Sequence, residues 1–313
     1  MKWSSRSLKV GELPPELTRN RAHLAIYLLP RAFSSLGSPM ASEFAELWQF
    51  GTSKRRKIEK TSRPYPKLPL RICRYRLSEF GGSETLKTVV SAVLQKAIDT
   101  LPQMASAETA LDERWQELRR IAKTTADSNK KNDHWSVATP SFIGVLENPL
   151  VSVEKRGIST DTFIANGEMP LSSDAYCAIG PFAARAYLEA VLSKKAGDDR
   201  IFVKPTRVGV RIWDDYDFKD DEPDSQMAKL MSKVLGRLTS QFLGVWQDTD
   251  SDDVVVLQNS DFQSFRKEFM PVYNSQSPAP VRKLICEDYS SVSDFATRMI
   301  EGAADYPLHA LKA

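Results

Sequence analysis

The chain has 313 residues, of which 42% are hydrophobic and 27% are charged, and its formal net charge is +3 at pH 7. This composition is ordinary for a globular protein with a sizeable core, and it excludes disordered and fibrous classes. The length predicts about two domains. Three dispersed cysteines without a CxxC pair argue against a disulfide framework and against a tetrahedral zinc site: Cys73, Cys177 and Cys286.

The charges are unevenly distributed along the chain. Residues 1–76 contain 16 Lys or Arg and 5 Asp or Glu, whereas residues 214–253 contain 11 acidic and 4 basic residues. Two interpretations stay open. In the first, both charged runs are solvated surface. In the second, the two runs attract each other or bind partners of opposite charge.

The sequence predicts no transmembrane segment. No unbroken apolar run approaches the roughly 20 residues that a spanning helix needs, and residues 1–13 contain no signal-peptide core. We therefore expect a protein that is cytoplasmic in the producing cell. If it is exported, the route needs no cleavable signal.

The first 69 residues contain segments that predict different kinds of structure. Residues 1–35, with Pro14-Pro15 and scattered arginines, indicate a weakly ordered segment. The basic, proline-rich residues 54–69 predict an extended linker. Between them, one helix presents an apolar face formed by Met40, Phe44, Leu47 and Trp48.

Two stronger helices follow the linker. The first is capped by Ser83 and ends at Pro102, and the second begins at Ser106 and carries an apolar stripe as far as Ala122. We expect the two helices to form an antiparallel hairpin with the earlier helix packed across it. The sequence thus predicts a helical domain over residues 36–126.

Residues 134–313 predict a β-rich domain, because short segments rich in β-branched residues alternate with Pro, Gly and Ser. A helix after Asn259, a last helix across residues 292–299 and a helical insertion at residues 225–238 are also predicted. Phe182–Leu192 fits either a strand or a helix. Strands are predicted at Ile201–Val203, Val208–Trp213, Phe242–Trp246, Val254–Leu257 and Arg282–Cys286.

The predicted fold class is therefore α+β. An N-terminal helical region precedes a twisted antiparallel β-sheet domain with flanking helices.

A cluster of acidic residues follows directly on the strand that ends at Trp213. In extended geometry Asp215 and Asp217 project to one face, and Asp214 and Tyr216 project to the other. Crowded carboxylates at a strand end need a hard cation, a basic partner or free water. One interpretation is a Mg²⁺ site with a phosphate substrate. The other is an acidic β-turn with solvated aspartates.

Other catalytic and nucleotide-binding patterns have little support. His23 lies in the weakly ordered beginning, His134 lies in a linker and His309 lies in the C-terminal tail, so we do not expect a Ser-His-Asp or Cys-His unit. Neither GxxxxGK[ST] nor GxGxxG occurs in the sequence.

A basic stretch with interleaved aromatic residues permits nucleic-acid binding. The net charge of the chain is nevertheless far below that of strongly basic nucleic-acid-binding domains, which argues against this partner. The stretch comprises Lys54 to Lys57, Arg63, Tyr65, Arg71, Arg74, Tyr75 and Arg76.

Several segments together resemble a proteobacterial family of unknown function whose members are often encoded near type VI secretion genes. The resemblance extends from about residue 24 to residue 290 and implies a role in interbacterial competition or in its delivery machinery. The segments that carry it are Leu29 to Ala32, Val208 to Phe218, Phe242 to Trp246 and Asn259 to Arg266.

A second, local resemblance covers residues 179–218. A strand followed by Asp214, Tyr216, Asp217 and Phe218 is similar to the catalytic segment of colicin M-like bacteriocins, which hydrolyse the peptidoglycan precursor lipid II in a Mg²⁺-dependent reaction. That family's motif continues with an adjacent His-Arg pair, whereas residues 219–235 contain no histidine. An arginine elsewhere can supply positive charge, but it donates no proton near pH 7.

These observations lead to a first hypothesis, a secretion-associated toxin effector with a Mg²⁺-dependent hydrolase site for a phosphate ester such as lipid II. Asp214 and Asp217 would ligate the metal or polarise water, Tyr216 would orient the substrate and Arg266 would stabilise charge. The expected partners are a secretion-system or immunity protein and a lipid-linked phosphate substrate.

The rival hypothesis is a non-enzymatic adaptor or structural component that binds a type VI secretion partner. In this reading Asp217 and Asp261 cap turns and helices. The missing His-Arg pair favours this alternative.

Overall fold

The structure is a computed structural model. It describes residues 7–35, 37–61, 70–80, 84–106, 116–139, 142–146, 174–179, 183–216, 257 and 259–312. Three predicted elements lie wholly or mostly outside these ranges: the strands Phe242–Trp246 and Val254–Leu257 and the insertion at residues 225–238.

Eight α-helices occur among the described residues. A π-helical turn at Phe265–Phe269 separates the last two of them. The helices are α1 (Pro15–Thr18), α2 (Arg21–Ser35), α3 (Pro39–Phe50), α4 (Glu84–Ser106), α5 (Gln116–Ser128), α6 (Asp174–Ile179), α7 (Asn259–Ser264) and α8 (Met270–Gln276).

The strands form one mixed sheet. They are β1 (Glu59–Lys60), β2 (Arg71–Tyr75), β3 (Trp135–Ala138), β4 (Ile143–Leu146), β5 (Ala183–Lys194), β6 (Arg200–Tyr216), β7 (Tyr289–Ser293), β8 (Ala296–Met299) and β9 (Tyr306–Lys312).

Helix α2 is a buried helix, where the sequence predicts a weakly ordered segment. Pro30 lies inside it and provides no N–H for the carbonyl of Ile26. The side chain of Gln49 supplies that hydrogen bond instead, because its Nε2 donates to the Ile26 oxygen at 2.7 Å. A contact from α3 thus satisfies a carbonyl that the proline leaves without its helical partner.

Helix α3 is held at both ends. The carboxylate of Asp174, in α6, accepts hydrogen bonds from the N–H groups of Met40 at 3.1 Å and Ala41 at 2.9 Å. These bonds satisfy amides that have no partner within the helix. At the other end Gly51 adopts a left-handed conformation and donates to the carbonyl of Leu47.

Strand β6 is the centre of the sheet. One of its edges pairs with β5, and its other edge pairs in turn with β9, β8 and β7, all antiparallel. The strands β3 and β4 pair with the far edge of β5. The two predicted strands at residues 201–203 and 208–213 are therefore parts of one long strand. Of the ambiguous segment Phe182–Leu192, residues 183–192 belong to strand β5.

Strand β2 joins the sheet from the N-terminal part of the chain. It pairs in parallel with β7, with Ile72 opposite Ser290 and Tyr75 opposite Ser293. The sheet is consequently mixed rather than wholly antiparallel. The short β1 pairs with the outer edge of β2.

The long helices pack on the sheet. Helix α4 contacts β5, β6, β8 and β9, and α5 contacts β4 and β9. Helix α4 also continues through Pro102 to Ser106, beyond its predicted end. A continuous hydrophobic core extends from Leu8 to Leu308 and includes residues of these helices and strands. The division into a helical and a β-rich domain stays a prediction.

Two predicted elements near the C-terminus are wrong. Arg282–Cys286 is irregular because its chain crosses the end of α3, where Ile285 N–H donates to the Gln49 carbonyl at 2.6 Å. Residues 292–299 form parts of β7 and β8, not a helix, because both segments pair with the edge of β6.

The α+β class is confirmed, with helices and a curled mixed sheet. None of the helices among the described residues combines the length and the hydropathy that crossing a bilayer demands.

Gly209, in the middle of β6, allows a close contact with an aromatic ring. A Cβ at this position would lie 2.7 Å from Cε1 of Phe142. The Phe142 ring cannot easily move away, because it is buried and packs against Phe295 with 4.4 Å between ring centroids.

We therefore predict that Gly209→Ala lowers the free energy of unfolding by about 1–3 kcal/mol, the usual cost of overpacking a core. Urea denaturation of the full chain measures this change. Gly11→Ala is the control, because a Cβ there meets no atom within 4 Å. Equal stabilities of the two variants would show that the Phe142 contact is not restrictive.

Candidate arginine cleft

An open cleft lies where the parallel strands β2 and β7 end. Its volume is about 550 Å³, within the range of small-molecule sites. Five arginines and two acidic residues line it, so the lining carries an excess of positive charge. The cleft, called the arginine cleft below, is lined by Arg55, Arg56, Arg74, Tyr75, Arg76, Glu79, Arg211, Ser293, Asp294 and Phe295.

A turn after α3 brings the first two arginines to the cleft. The turn is closed by an isolated bridge between Thr52 and Lys57 and by a hydrogen bond from Ser53 N–H to the Arg56 carbonyl at 2.7 Å. Nε of Arg56 then donates to the carbonyl of Arg74 in β2 at 3.2 Å. Residues that are about 20 positions apart in the sequence therefore meet at one site.

Arg56 is a structural cation of the cleft wall. Its buried guanidinium pairs with the buried carboxylate of Glu43 in α3 and, at 2.5 Å, with Glu79. Glu43 also pairs with Arg55 at 3.2 Å and accepts a hydrogen bond from Ser53. This network connects α3, the turn and the segment after β2.

Arg211 differs from Arg56 because its buried guanidinium has donors without acceptors. The residue is 7% exposed, and neither Nε nor Nη1 has a hydrogen-bond partner in the described part of the chain. Its guanidinium lies 4.0 Å from the centroid of the Phe295 ring. Burial lowers the pKa of Arg211 from its usual value and nearby Arg74 adds to the decrease, whereas Tyr187 and Asp294 oppose it. An arginine nevertheless stays charged in proteins.

Arg211 belongs to a stack of side chains along one face of β6. Arg207 lies over the ring of Phe142 at 5.1 Å, and Phe142 packs against Phe295, which in turn contacts Arg211. The absence of a side chain at Gly209 makes room for Phe142 in this row. These contacts hold the Arg211 side chain in the position from which it lines the cleft.

The other lining arginines differ in how far their charge is compensated. Arg74 is half-exposed and pairs with Glu59 at 3.5 Å, which is a weak contact for solvated groups. Arg76 is exposed, and its guanidinium has no carboxylate partner among the described residues. Within the described part of the chain, Arg76 and Arg211 are therefore the two lining arginines without an ion pair.

Two of the residues predicted for the hydrolase site share a face of β6. Regular pairing with β7 places Asp214 opposite Ser291 and Tyr216 opposite Tyr289, as the extended geometry predicts. The rings of Tyr216 and Tyr289 stack with 5.3 Å between centroids. Burial raises the pKa of Tyr289, and the negative charge of Asp214 contributes to this increase.

The remaining aspartates of the predicted cluster do not add to that face in the described residues. Asp215 projects from the opposite face and accepts a hydrogen bond from Ser290 Oγ. Asp217 lies outside the described residues. Within the described part of the chain, no three His, Cys, Asp or Glu side chains are grouped so that they could hold a metal ion.

Arg266, predicted to stabilise charge, belongs to another cluster. Its guanidinium pairs with Asp288 at 2.5 Å and lies 5.6 Å from the ring centroid of Trp48. Trp48 Nε1 also donates to Asp288, at 3.2 Å. Asp288 directly precedes Tyr289, so this cluster adjoins the end of β6 but has its own ion pair.

His23 lies in the buried face of α2 and was not a site candidate in the sequence. It is 4% exposed, and its Nε2 is 2.9 Å from Oγ of Ser264. Its ring contacts the edges of Phe265 and Phe269 in the π-helical turn. This contact connects α2 to the end of α7.

The sequence contains one signal for Arg211. This arginine stands between Val210 and Ile212 in a strongly apolar predicted strand. A cation in such a strand is buried or lines a site. The basic stretch with Arg74 and Arg76 is also visible in the sequence, but its proximity to Arg211 depends on the strand order of the sheet.

Comparison with known proteins identifies a family without an assigned activity. A family of unknown function, DUF6402, matches residues 85–290, about two thirds of the chain. No curated protein and no solved structure matches the chain significantly.

The buried His23 predicts a pH-dependent stability. Burial lowers its pKa from the usual value of about 6.5, although Glu268 and Asp261 oppose the shift. The unfolded chain then binds the proton more tightly, so the free energy of unfolding falls as the pH drops below about 6.5. Above that pH the imidazole of His23 is neutral in both the folded and the unfolded chain, so it adds no pH dependence to the free energy of unfolding.

Urea denaturation between about pH 5 and pH 8 measures this dependence, with a slope of at most about 1.4 kcal/mol per pH unit for one proton. His23→Gln keeps a polar group near Ser264 but does not titrate, so its curve should be flatter below about pH 6.5. Identical slopes in both proteins would contradict the prediction.

Proposed function

This chain belongs to the DUF6402 family of unknown function, and we propose that it binds an anionic ligand in the arginine cleft. The observation that carries this proposal is Arg211, whose buried guanidinium has two nitrogens that find no hydrogen-bond acceptor among the residues the structure describes. A buried, unpaired cation is costly for folding, by several kcal/mol. A ligand with anionic oxygens would supply the missing acceptors.

The surroundings of Arg211 support an anion rather than a neutral ligand. Of the seven charged residues that line the cleft, five are arginines. One acidic lining residue, Glu79, already pairs with Arg56. The other, Asp294, accepts a hydrogen bond from the N–H of Leu77 at 2.9 Å. The cleft lining therefore has more guanidinium groups than carboxylates that could pair with them.

The arginine cleft also fits the phosphate part of the sequence-based hypothesis. Guanidinium groups are the side chains best suited to phosphate and carboxylate recognition. A phosphate-ester ligand is thus common to the effector hypothesis and to the geometry of the cleft. Binding alone, without a reaction, is equally compatible with the adaptor hypothesis.

A second candidate function is the Mg²⁺-dependent hydrolysis of a phosphate ester at the end of β6. It is supported by the common face of Asp214 and Tyr216 on that strand and by the resemblance of this segment to colicin M-like bacteriocins. In this proposal Asp214 and Asp217 hold the metal ion, and Arg266 would have to leave Asp288 to act on the substrate.

The proposed biological setting is type VI secretion. It rests on the resemblance of the longer segments to a secretion-associated family. The chain would be cytoplasmic in the producing cell and exported as an effector, or it would act as an adaptor for a secretion partner.

Arg211→Met tests the anion-binding proposal. We expect the parent protein to gain thermal stability with millimolar inorganic phosphate, measured against potassium chloride at equal ionic strength. The variant should bind phosphate about 10- to 100-fold more weakly by calorimetry, because a charge-assisted hydrogen bond contributes about 1.5–3 kcal/mol. The variant itself should be no less stable, since an apolar side chain replaces a buried cation.

Arg207→Met is the matched control. Arg207 lies on the same face of β6 and also covers an aromatic ring, but it pairs with Glu189 at 2.6 Å and does not line the cleft. Its phosphate affinity should equal that of the parent. Equal losses in both variants, or no phosphate effect on the parent, would refute the proposal.

The hydrolase proposal is tested by a metal titration and one variant. Mg²⁺ or Mn²⁺ should raise the melting temperature of the parent but not that of Asp217→Ala. The same variant should abolish toxicity when the protein is produced in the periplasm. Absence of a shift at millimolar metal, or equal toxicity of both proteins, would favour the adaptor hypothesis.

A further inference from the structure

We infer that Arg74 is the second arginine that binds the anion at Arg211, and that the carboxylate of Glu59 competes with the ligand for it. This inference rests on the proposed function and adds to the same cleft a ligand contact and an internal competitor. Without ligand, the Glu59 carboxylate pairs with Arg74. An anionic group held by Arg211 would replace that carboxylate.

The strand register places Arg74 and Arg211 on the same face of the sheet. Arg74 in β2 lies opposite Val292 in β7, and Val292 lies opposite Trp213 in β6. Residues that lie opposite each other on paired strands project to the same face. Arg211 stands two residues before Trp213 and therefore shares that face with Arg74.

The separation of these two positions allows both arginines to contact one ligand group. The strands β2 and β6 are two strand spacings of about 4.8 Å apart, and two residues along a strand span about 6.7 Å, so the Cα atoms lie about 12 Å apart. Two extended arginine side chains can reach a common group between such positions. Both side chains line the arginine cleft. After burial, the positive charge of Arg74 is a further cause of the lowered pKa of Arg211, which requires that the two guanidinium groups are near each other.

The ion pair between Arg74 and Glu59 is weak enough for a ligand to replace it. Glu59 lies in the short strand β1, and its carboxylate is 3.5 Å from Nε of Arg74. Both side chains are about half exposed, so water screens their attraction. Arg56, by contrast, is buried between two carboxylates and is fixed in the cleft wall. The guanidinium of Arg74 can therefore change its partner at a much lower cost than that of Arg56.

The competitor also indicates the chemistry of the ligand. Glu59 offers carboxylate oxygens to Arg74, so the group that replaces it must offer anionic oxygens as well. Carboxylates and phosphates both accept charge-assisted hydrogen bonds from guanidinium donors. Such a group could accept from Arg74 and from the buried nitrogens of Arg211 at the same time. Inorganic phosphate is therefore a suitable probe of the exchange.

The experiment measures the phosphate affinity of the full chain by calorimetry at constant ionic strength. Glu59→Gln should tighten phosphate binding about two- to fivefold, because it removes a competitor that holds Arg74 only weakly. Arg74→Gln should weaken binding about tenfold, because it removes a charge-assisted hydrogen bond. Arg74→Lys keeps the charge but not the planar fork, so its affinity should lie between those of Arg74→Gln and the parent.

A double variant separates direct competition from a general effect of charge. If Glu59 acts through Arg74, adding Glu59→Gln to Arg74→Gln should leave the phosphate affinity of the single Arg74→Gln variant unchanged. An equal gain from Glu59→Gln in both backgrounds would show only long-range electrostatics and would overturn the inference.

Glu287→Gln is the matched control. The side chain of Glu287 is 45% exposed, close to the 46% of Glu59, and it also pairs with an arginine of β2. That arginine, Arg71, does not line the cleft. The phosphate affinity of Glu287→Gln should therefore equal that of the parent, and a gain as large as that of Glu59→Gln would contradict the competition.

Failure of this inference is distinguishable from failure of the proposed function. If Arg74→Gln binds phosphate as tightly as the parent while Arg211→Met binds it more weakly, the inference is overturned and anion binding at Arg211 remains. If the parent does not bind phosphate at millimolar concentration, the inference and the proposed function fail together.

Discussion

The parallel pairing of β2 with β7 is the constraint on which the arginine cleft depends. It joins a strand from the basic N-terminal part of the chain to a strand near the C-terminus, with Ile72 opposite Ser290. Both strands end at the same side of the sheet, so Arg74 and Arg76 meet Ser293 and Asp294 there. The hydrogen bond from Arg56 to the Arg74 carbonyl then adds the turn after α3. Without this pairing the basic residues would be a solvated stretch with no common site.

A second constraint is the position of Arg211 in the most buried part of β6. Its neighbours Val210 and Ile212 are fully buried on the other face of the strand, and Phe295 covers the guanidinium. Such a burial favours a neutral apolar residue if stability alone matters. Nε and Nη1 of Arg211 find no acceptor among the described residues, and the proposed ligand would complete their hydrogen bonds. The aromatic stack above Gly209 holds the side chain in place and so reduces the entropy that ligand binding would cost.

The arginine cleft and the end of β6 are neighbouring but different places. Asp214 and Tyr216 face α3 and the stacked Tyr289, where Phe44 contacts both tyrosine rings. Arg266 is engaged with Asp288 next to this end of the strand. Asp214 contributes to the raised pKa of Tyr75, a cleft residue, although burial is the main cause. Tyr75 therefore lies close to both places.

Local patterns in the sequence determined the α+β class, the strand at Val208–Trp213, the helix after Asn259 and the common face of Asp214 and Tyr216. Each of these depends on side-chain periodicity over a few residues, which is a property of the sequence itself. The burial of His23 and the helix through Pro30 were not predictable, since they depend on Ser264 and Gln49 from distant segments. The same holds for the cleft. Its arginines come from three separate stretches of chain. Only the order of strands in the sheet, set by many weak contacts between residues far apart in sequence, decided that they would share one site.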